Sequence, residues 1–143
     1  MRYAIFLVLC LSAGPAAAWQ FTPGLPCKLT HETPEVFVEV TFDPRGPLYT
    51  ISLTRLEPWP DAPVFTMRYS GPFGVTISTD RHQLSQEGHT LSVSDRGFGN
   101  LLTGFMQDNA FTARAGDAVV TVPLDGAAGP TSAFAACRPA AGA

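Results

Sequence analysis

Two Asp-Arg pairs, each at the end of a predicted strand, are the best candidates for chemistry in this sequence. Asp80 and Arg81 follow the segment VTIST, whereas Asp95 and Arg96 follow TLSVS and precede the turn Gly97–Gly99. Four such charged side chains beside an exposed glycine backbone could hold an anion or a peptide carboxylate. The same residues are also typical of ordinary turns, in which Asp ends a strand, Arg pairs with a neighbouring Asp and glycine adopts a positive φ. The sequence leaves both interpretations open.

A catalytic alternative uses His82 together with Asp80 or Asp95, as a small periplasmic hydrolase or another envelope enzyme would. The sequence contains no G-x-S-x-G elbow for a serine nucleophile. It also offers no pair of carboxylates that can be nominated for glycoside hydrolysis. We therefore favour a non-catalytic protein and name no catalytic residue.

The histidines could in principle surround a metal ion. His31, His82 and His89 are spread along the chain, with Asp80 two residues before His82. The sequence has no HExxH motif, no pair of histidines at i and i+4 on a predicted helix, and no cluster of cysteines, which are the usual signs of a zinc site. We predict no metal and no cofactor.

Trp59 is a large aromatic residue in the segment LEPWPDAP, which contains three prolines. A loop stiffened by proline can present an aromatic anchor to a ligand or a partner. In the alternative interpretation, the tryptophan folds over an open end of the sheet structure and covers the core. Trp59 is the fifth candidate binding residue, beside the two Asp-Arg pairs.

A period of two dominates the segments that must position these residues. EVFVEVTF alternates valine and phenylalanine with polar residues, as a half-buried strand should. The predicted strands are Glu35–Phe42, Tyr49–Arg55, Val64–Tyr69, Val75–Thr79, Thr90–Ser94, Leu101–Asp108 and Ala118–Leu124. Short strands with frequent turn signals predict an all-β or mostly β protein, namely an antiparallel β-sandwich or barrel of about seven strands.

Two segments near the C-terminus favour short helices. Asn109–Asp117 is compatible with a helix that stops at Gly116, and Thr131–Cys137 begins with a capping residue and continues with a short apolar turn. We therefore expect one or two short helices near the C-terminus.

The first eighteen residues have the features of a secretory signal peptide. They contain one basic residue, an apolar run too short to span a membrane, and small residues at Ala16 and Ala18. No later segment is apolar enough for a transmembrane helix. We expect cleavage after Ala18 and a periplasmic or secreted protein, with residues 19–143 forming a single β-rich domain.

Cysteine counting predicts one disulfide bond. Of the three cysteines, Cys10 leaves with the signal peptide, so Cys27 and Cys137 remain in a chain exported to an oxidising compartment. A bridge between them would close most of the mature chain into one loop. The chain-entropy model values such a crosslink at about 4 to 5 kcal/mol, as an upper figure.

The charge distribution argues against nucleic acid as a partner. The full sequence has 9 Lys and Arg against 12 Asp and Glu, and the basic residues are scattered singly. Binding to a phosphate backbone needs a basic patch, which this pattern does not provide. The expected partner is an envelope protein or a small ligand.

Several segments of the sequence are similar to one group of proteins over essentially the whole chain. The segments are AWQFTPGLPCKLTHE, EPWPDAPVF, ISTDRHQLS, SDRGFGNLLTGF, AGDAVVTVPLDG and AFAAC. They resemble a group of short exported alphaproteobacterial proteins of unestablished function, some of which carry the name of an excinuclease subunit. The residues argue against DNA repair here, because the chain is short, acidic and lacks the G-x-x-x-x-G-K-[ST] loop of a repair ATPase.

The C-terminal third is also similar to the close of the invasion-associated locus B family of exported β-sandwich proteins. The matching segments are 111–116, 118–124 and 133–137. This resemblance implies an envelope protein that acts by binding, and it offers no catalytic residues. We therefore expect a non-catalytic binding or interaction module of the cell envelope. Its candidate binding residues are Asp80, Arg81, Asp95, Arg96 and Trp59.

Overall fold

The computed structural model describes residues 18–137, and these residues form ten strands and two helices. In chain order, the strands are β1 (Gln20–Thr22), β2 (Cys27–Glu32), β3 (Val36–Asp43), β4 (Leu48–Arg55), β5 (Phe65–Ser70), β6 (Thr76–Thr79), β7 (Gln83–Ser85), β8 (Thr90–Asp95), β9 (Ala110–Ala115) and β10 (Ala118–Pro123). The helices are α1 (Gly99–Gln107) and α2 (Ala128–Ala135).

The strands form two open antiparallel sheets that share one hydrophobic core. The six-stranded sheet has the order β1-β2-β3-β4-β8-β7, and the four-stranded sheet has the order β10-β9-β5-β6. The sandwich prediction is confirmed, and the barrel alternative is wrong because neither sheet closes on itself. The described residues contain ten strands, of which β1, β2, β7 and β9 were not predicted, whereas one of the seven predicted strands is not a strand.

Period-two alternation explains how the central strands build the core. Val36, Val38 and Val40 of β3 are at most 2% exposed, whereas Glu39 lies on the opposite face of the strand. Val40 pairs in register with Ile51 of β4, which is also buried. Burial of each such side chain stabilises the fold by about 1.5 to 3 kcal/mol.

The predicted strand Leu101–Asp108 is wrong, because this segment forms most of α1. Leu101, Leu102 and Phe105 are all buried, a spacing that places them on one face of a helix. The hydroxyl of Tyr69 in β5 donates a hydrogen bond to the Leu101 carbonyl at 3.2 Å. Packing of α1 against the core therefore overrides the weak strand pattern.

The helix predicted at Asn109–Asp117 is also wrong, because this segment forms β9. Phe111, Ala113 and Ala115 point inward and are fully buried, while Arg114 points outward. β9 lies between β5 and β10, so both of its edges are paired. The predicted C-terminal helix is present as α2, although it starts three residues earlier than Thr131.

The predicted disulfide between Cys27 and Cys137 is confirmed. The two Cα atoms are 6.6 Å apart, within the normal range for a disulfide. The bond joins β2 to Cys137, two residues beyond the end of α2, and α2 packs on β1 and β2. A disulfide indicates an oxidising compartment outside the cytoplasm.

Export itself stays a prediction. The predicted signal peptide, residues 1–18, lies outside the described residues except for Ala18. Trp19, which directly follows the predicted cleavage site, is buried, and its indole N–H donates to the Pro123 carbonyl at 3.2 Å. Neither helix in the described part of the chain has the length and apolar character needed to cross a membrane.

Candidate functional site

A cleft lies between β4 and β8 of one sheet and β5 and β6 of the other. Its volume is about 470 Å³, within the range of about 300 to 1,000 Å³ that is typical of small-molecule sites. Its apolar lining comes from both sheets. Ile51 and Val93 belong to the six-stranded sheet, and Phe65, Met67 and Ile77 belong to the four-stranded sheet.

The start of α1 forms a further wall of the cleft. Phe98 and Leu101 are buried and line it, and the Phe98 ring stacks on Tyr49 with a centroid distance of 5.4 Å. Gly97 and Gly99 also line the cleft, and a Cβ atom built on either would meet no heavy atom within 4 Å. The backbone on this wall is therefore open to the cleft or to solvent.

Strand geometry places Asp95 at the mouth of the cleft. Leu91, Val93 and Asp95 share the inner face of β8, and exposure increases from buried Leu91 to exposed Asp95. The carboxylate of Asp95 accepts a hydrogen bond from the backbone N–H of Arg96 at 2.7 Å. Asp95 therefore stands where the inner face of β8 leaves the core.

Arg81 reaches the same cleft from the other sheet. It follows β6, and its backbone N–H donates to the Thr79 hydroxyl at 3.0 Å, which ends the strand in a local turn. Arg81 is exposed and lines the cleft, as Asp95 does. Asp80 and Arg96 are exposed but are not among the lining residues. The structure thus brings together one member of each Asp-Arg pair.

The simple turn interpretation of the Asp-Arg pairs holds only in part. Within residues 18–137, only Arg45 and Asp43 form an ion pair with an N–O distance below 4 Å, and that distance is 2.8 Å. Arg81 and Asp95 therefore pair neither with each other nor with their neighbours. Gly97 and Gly99 of the described chain do not have positive φ values either.

Trp59 has the surroundings of a packing residue. Its side chain is 3% exposed, and its indole N–H donates to the Leu53 carbonyl at 2.9 Å. The guanidinium carbon of Arg55 lies 4.7 Å from the centre of the ring. Trp59 does not line the cleft, and its position matches the alternative in which it covers the core.

His82 also lies apart from the cleft lining. Its Nε2 atom is 2.9 Å from the Ala62 carbonyl oxygen, and its ring centre is 6.1 Å from that of Phe65. Asp95 lines the cleft whereas His82 does not. The catalytic alternative based on His82 with Asp80 or Asp95 stays a prediction.

The other histidines occupy separate places. His31 stacks on Trp19 with a centroid distance of 4.5 Å, and His89 Nδ1 is 3.0 Å from the Arg55 carbonyl oxygen. Burial lowers the pKa of His31, and the Ala18 backbone, which raises that pKa, is the smaller influence. In the described part of the chain, no three His, Cys, Asp or Glu side chains are grouped so as to hold a metal ion.

Comparisons of the chain with protein-family models, curated proteins and solved structures found no match. The resemblances in the sequence therefore stay predictions, and the functional argument depends on the geometry of the cleft.

Sequence reasoning missed the apolar part of this site. It predicted strands at Val75–Thr79 and Thr90–Ser94 but did not predict that Ile77 and Val93 would line a gap between two sheets.

Proposed function

We propose that this protein is an exported, non-catalytic binding protein that holds a small, largely apolar ligand in the cleft between its two sheets. The observation that carries the proposal is the cleft itself, a space of about 470 Å³ that apolar side chains of both sheets line together with polar residues, among them the exposed Arg81 and Asp95. Apolar side chains with polar groups that orient the ligand are the usual composition of a ligand site. The proposed location is the periplasm or the external medium.

The inner faces of the sheets supply the driving force for binding. Ile77 and Val93 are only partly buried, although they lie on the inner faces of their strands. A ligand in the cleft would remove this apolar surface from water, at roughly 25 cal/mol for each Å² buried.

The polar residues of the cleft suit binding. In the described chain they include Arg81, Asp95 and Asn100 but no His, Cys or Lys. The Ser94 hydroxyl shares a hydrogen bond of 2.9 Å with the Thr50 hydroxyl of the neighbouring strand. We therefore propose binding, with the geometry of the cleft as its support.

A titration with the neutral apolar dye Nile red tests the proposal. In the Ile77→Trp variant, the larger side chain should occupy the cleft and weaken dye binding by at least about tenfold. Val119→Trp is the matched control, because Val119 is 40% exposed on the outer face of β10. Circular dichroism checks that both variants fold. A folded Ile77→Trp variant that binds the dye as tightly as the native protein contradicts the proposal.

A further inference from the structure

We propose that the ligand is zwitterionic, with an ammonium and a carboxylate at one end of an apolar body, as in an α-amino acid with a long side chain. This inference rests on the proposed function, since it concerns the occupant of the same cleft. Its basis is the pair of opposite charges at the mouth, contributed by Arg81 and Asp95.

The two charges come from opposite sheets and are both free to bind. Arg81 follows β6 of the four-stranded sheet, and Asp95 ends β8 of the six-stranded sheet. Within residues 18–137 they form no ion pair at the 4 Å limit. The Arg81 guanidinium offers five N–H donors. The Asp95 carboxylate uses one oxygen for the Arg96 backbone N–H and keeps its remaining acceptor positions.

Charge complementarity selects among the possible head groups. A carboxylate alone would be attracted by Arg81 but repelled by Asp95, and an ammonium alone would be attracted by Asp95 but repelled by Arg81. A neutral alcohol would gain little binding energy from either charge. A zwitterion matches both charges, with its carboxylate held by two parallel hydrogen bonds from Arg81 and its ammonium held by Asp95.

The lining of the cleft agrees with this choice. Arg81 and Asp95 do not neutralise each other, because they form no ion pair within residues 18–137. Ile51, Phe65 and Met67 line the same cleft, whose volume is about 470 Å³. These residues offer apolar surface to the side chain of an amino acid, whereas the head group stays with the two charges.

A matched series of ligands tests the inference. The full chain, recovered after export, is loaded with Nile red and titrated with 2-aminodecanoate, decanoate, decylammonium or decanol. We expect 2-aminodecanoate to displace the dye at a concentration at least about tenfold lower than the other three ligands.

Variants of the two Asp-Arg pairs, Asp80 with Arg81 and Asp95 with Arg96, make the test specific. Arg81→Gln should abolish the preference for 2-aminodecanoate over decylammonium, and Asp95→Asn should abolish the preference over decanoate. Asp80→Asn and Arg96→Gln are the matched controls, because these residues do not line the cleft. Both controls should keep the native order of affinities.

The outcomes separate the inference from the proposed function. If decanoate, decylammonium or decanol displaces the dye as well as the zwitterion does, the inference is overturned while the cleft remains a binding site. The same holds if Nile red binds in the cleft and none of the four ligands displaces it. If Nile red itself does not bind, the proposed function fails and the inference fails with it.

Discussion

Arg81 and Asp95 line one cleft from opposite sheets, yet within residues 18–137 they form no ion pair with each other or with their neighbours. Strand alternation puts Asp95 at the end of the inner face of β8, and the turn at Thr79 puts Arg81 beside β6. These two exposed charges of opposite sign at the rim of one cleft are the basis of the proposed binding function.

Gly104 should be required for the packing of α1. A Cβ atom built there would lie 2.5 Å from the ring of Tyr69, which is itself 2% exposed and cannot move away easily. We predict that Gly104→Ala lowers the free energy of unfolding by about 1 to 3 kcal/mol, measured by urea denaturation. Gly129→Ala in α2 is the control, because its Cβ would meet nothing within 4 Å. Equal stability of the two variants would refute this account of the contact.

Trp59 should contribute to stability and not to ligand binding. Trp59→Phe keeps an aromatic ring but removes the indole N–H that donates to the Leu53 carbonyl. Loss of one hydrogen bond costs about 0.5 to 1.5 kcal/mol, so the urea midpoint should fall. Nile red affinity should stay within about twofold of the native value, since Trp59 lies outside the cleft lining. A large loss of affinity in a folded variant would restore Trp59 as a binding residue.

The disulfide should provide a large part of the stability of the fold. Replacing Cys27 and Cys137 by serine removes the crosslink between β2 and the end of α2. The chain-entropy model predicts a loss of up to about 4 to 5 kcal/mol. Thermal unfolding of the double variant, compared with the native protein with and without a reducing agent, measures the effect. An unchanged melting temperature in both comparisons would show that the crosslink contributes little.

Stability should depend on pH through His31. Burial lowers the pKa of His31 in the folded protein below its unperturbed value of 6.5. As the pH falls, His31 therefore binds a proton in the unfolded chain at a higher pH than in the folded protein. The stability that is fully present above pH 6.5 is lost as the pH falls through the pKa that His31 has in the folded protein.

His31→Phe isolates this contribution, because the variant keeps a ring that can stack on Trp19 but does not titrate. We predict that urea denaturation between about pH 7 and pH 5 shows a shallower loss of stability in the variant than in the native protein. Parallel curves for the two proteins would mean that other groups cause the pH dependence.

The fold was predictable wherever a strand alternates clearly between apolar and polar residues. β3 is such a strand, because Val36, Val38 and Val40 alternate with polar or exposed residues. α1 and β9 were interchanged because their local signals are weak. Gly104 disfavours a helix in isolation and is tolerated because it lies against Tyr69. The alanines of β9 favour a helix in isolation, but Ala113 and Ala115 are buried on the inner face of a strand that is paired on both edges.

The candidate site was predictable only in its charged half. Arg81 and Asp95 each stand in an Asp-Arg pair that is visible in a short stretch of sequence. The apolar half comes from four strands that are far apart in the chain, and Ile51 and Ile77 meet only when the two sheets stack. No local pattern shows where two sheets leave a gap between them.

Methyl NMR provides the most direct test of the central claim that the cleft binds an apolar ligand. Ile51 and Ile77 are the two isoleucines of residues 19–143, and both line the cleft. The methionines of the same range are Met67, which lines the cleft, and Met106, which does not. Labelled isoleucine and methionine methyl groups therefore report on the site and provide an internal control.

Addition of Nile red should shift the methyl signals of Ile51, Ile77 and Met67, because the aromatic dye would lie against these side chains. The Met106 signal should stay in place. If the three cleft methyl signals do not move at a saturating dye concentration, or if Met106 moves as much as they do, the cleft is not the binding site and the account is contradicted.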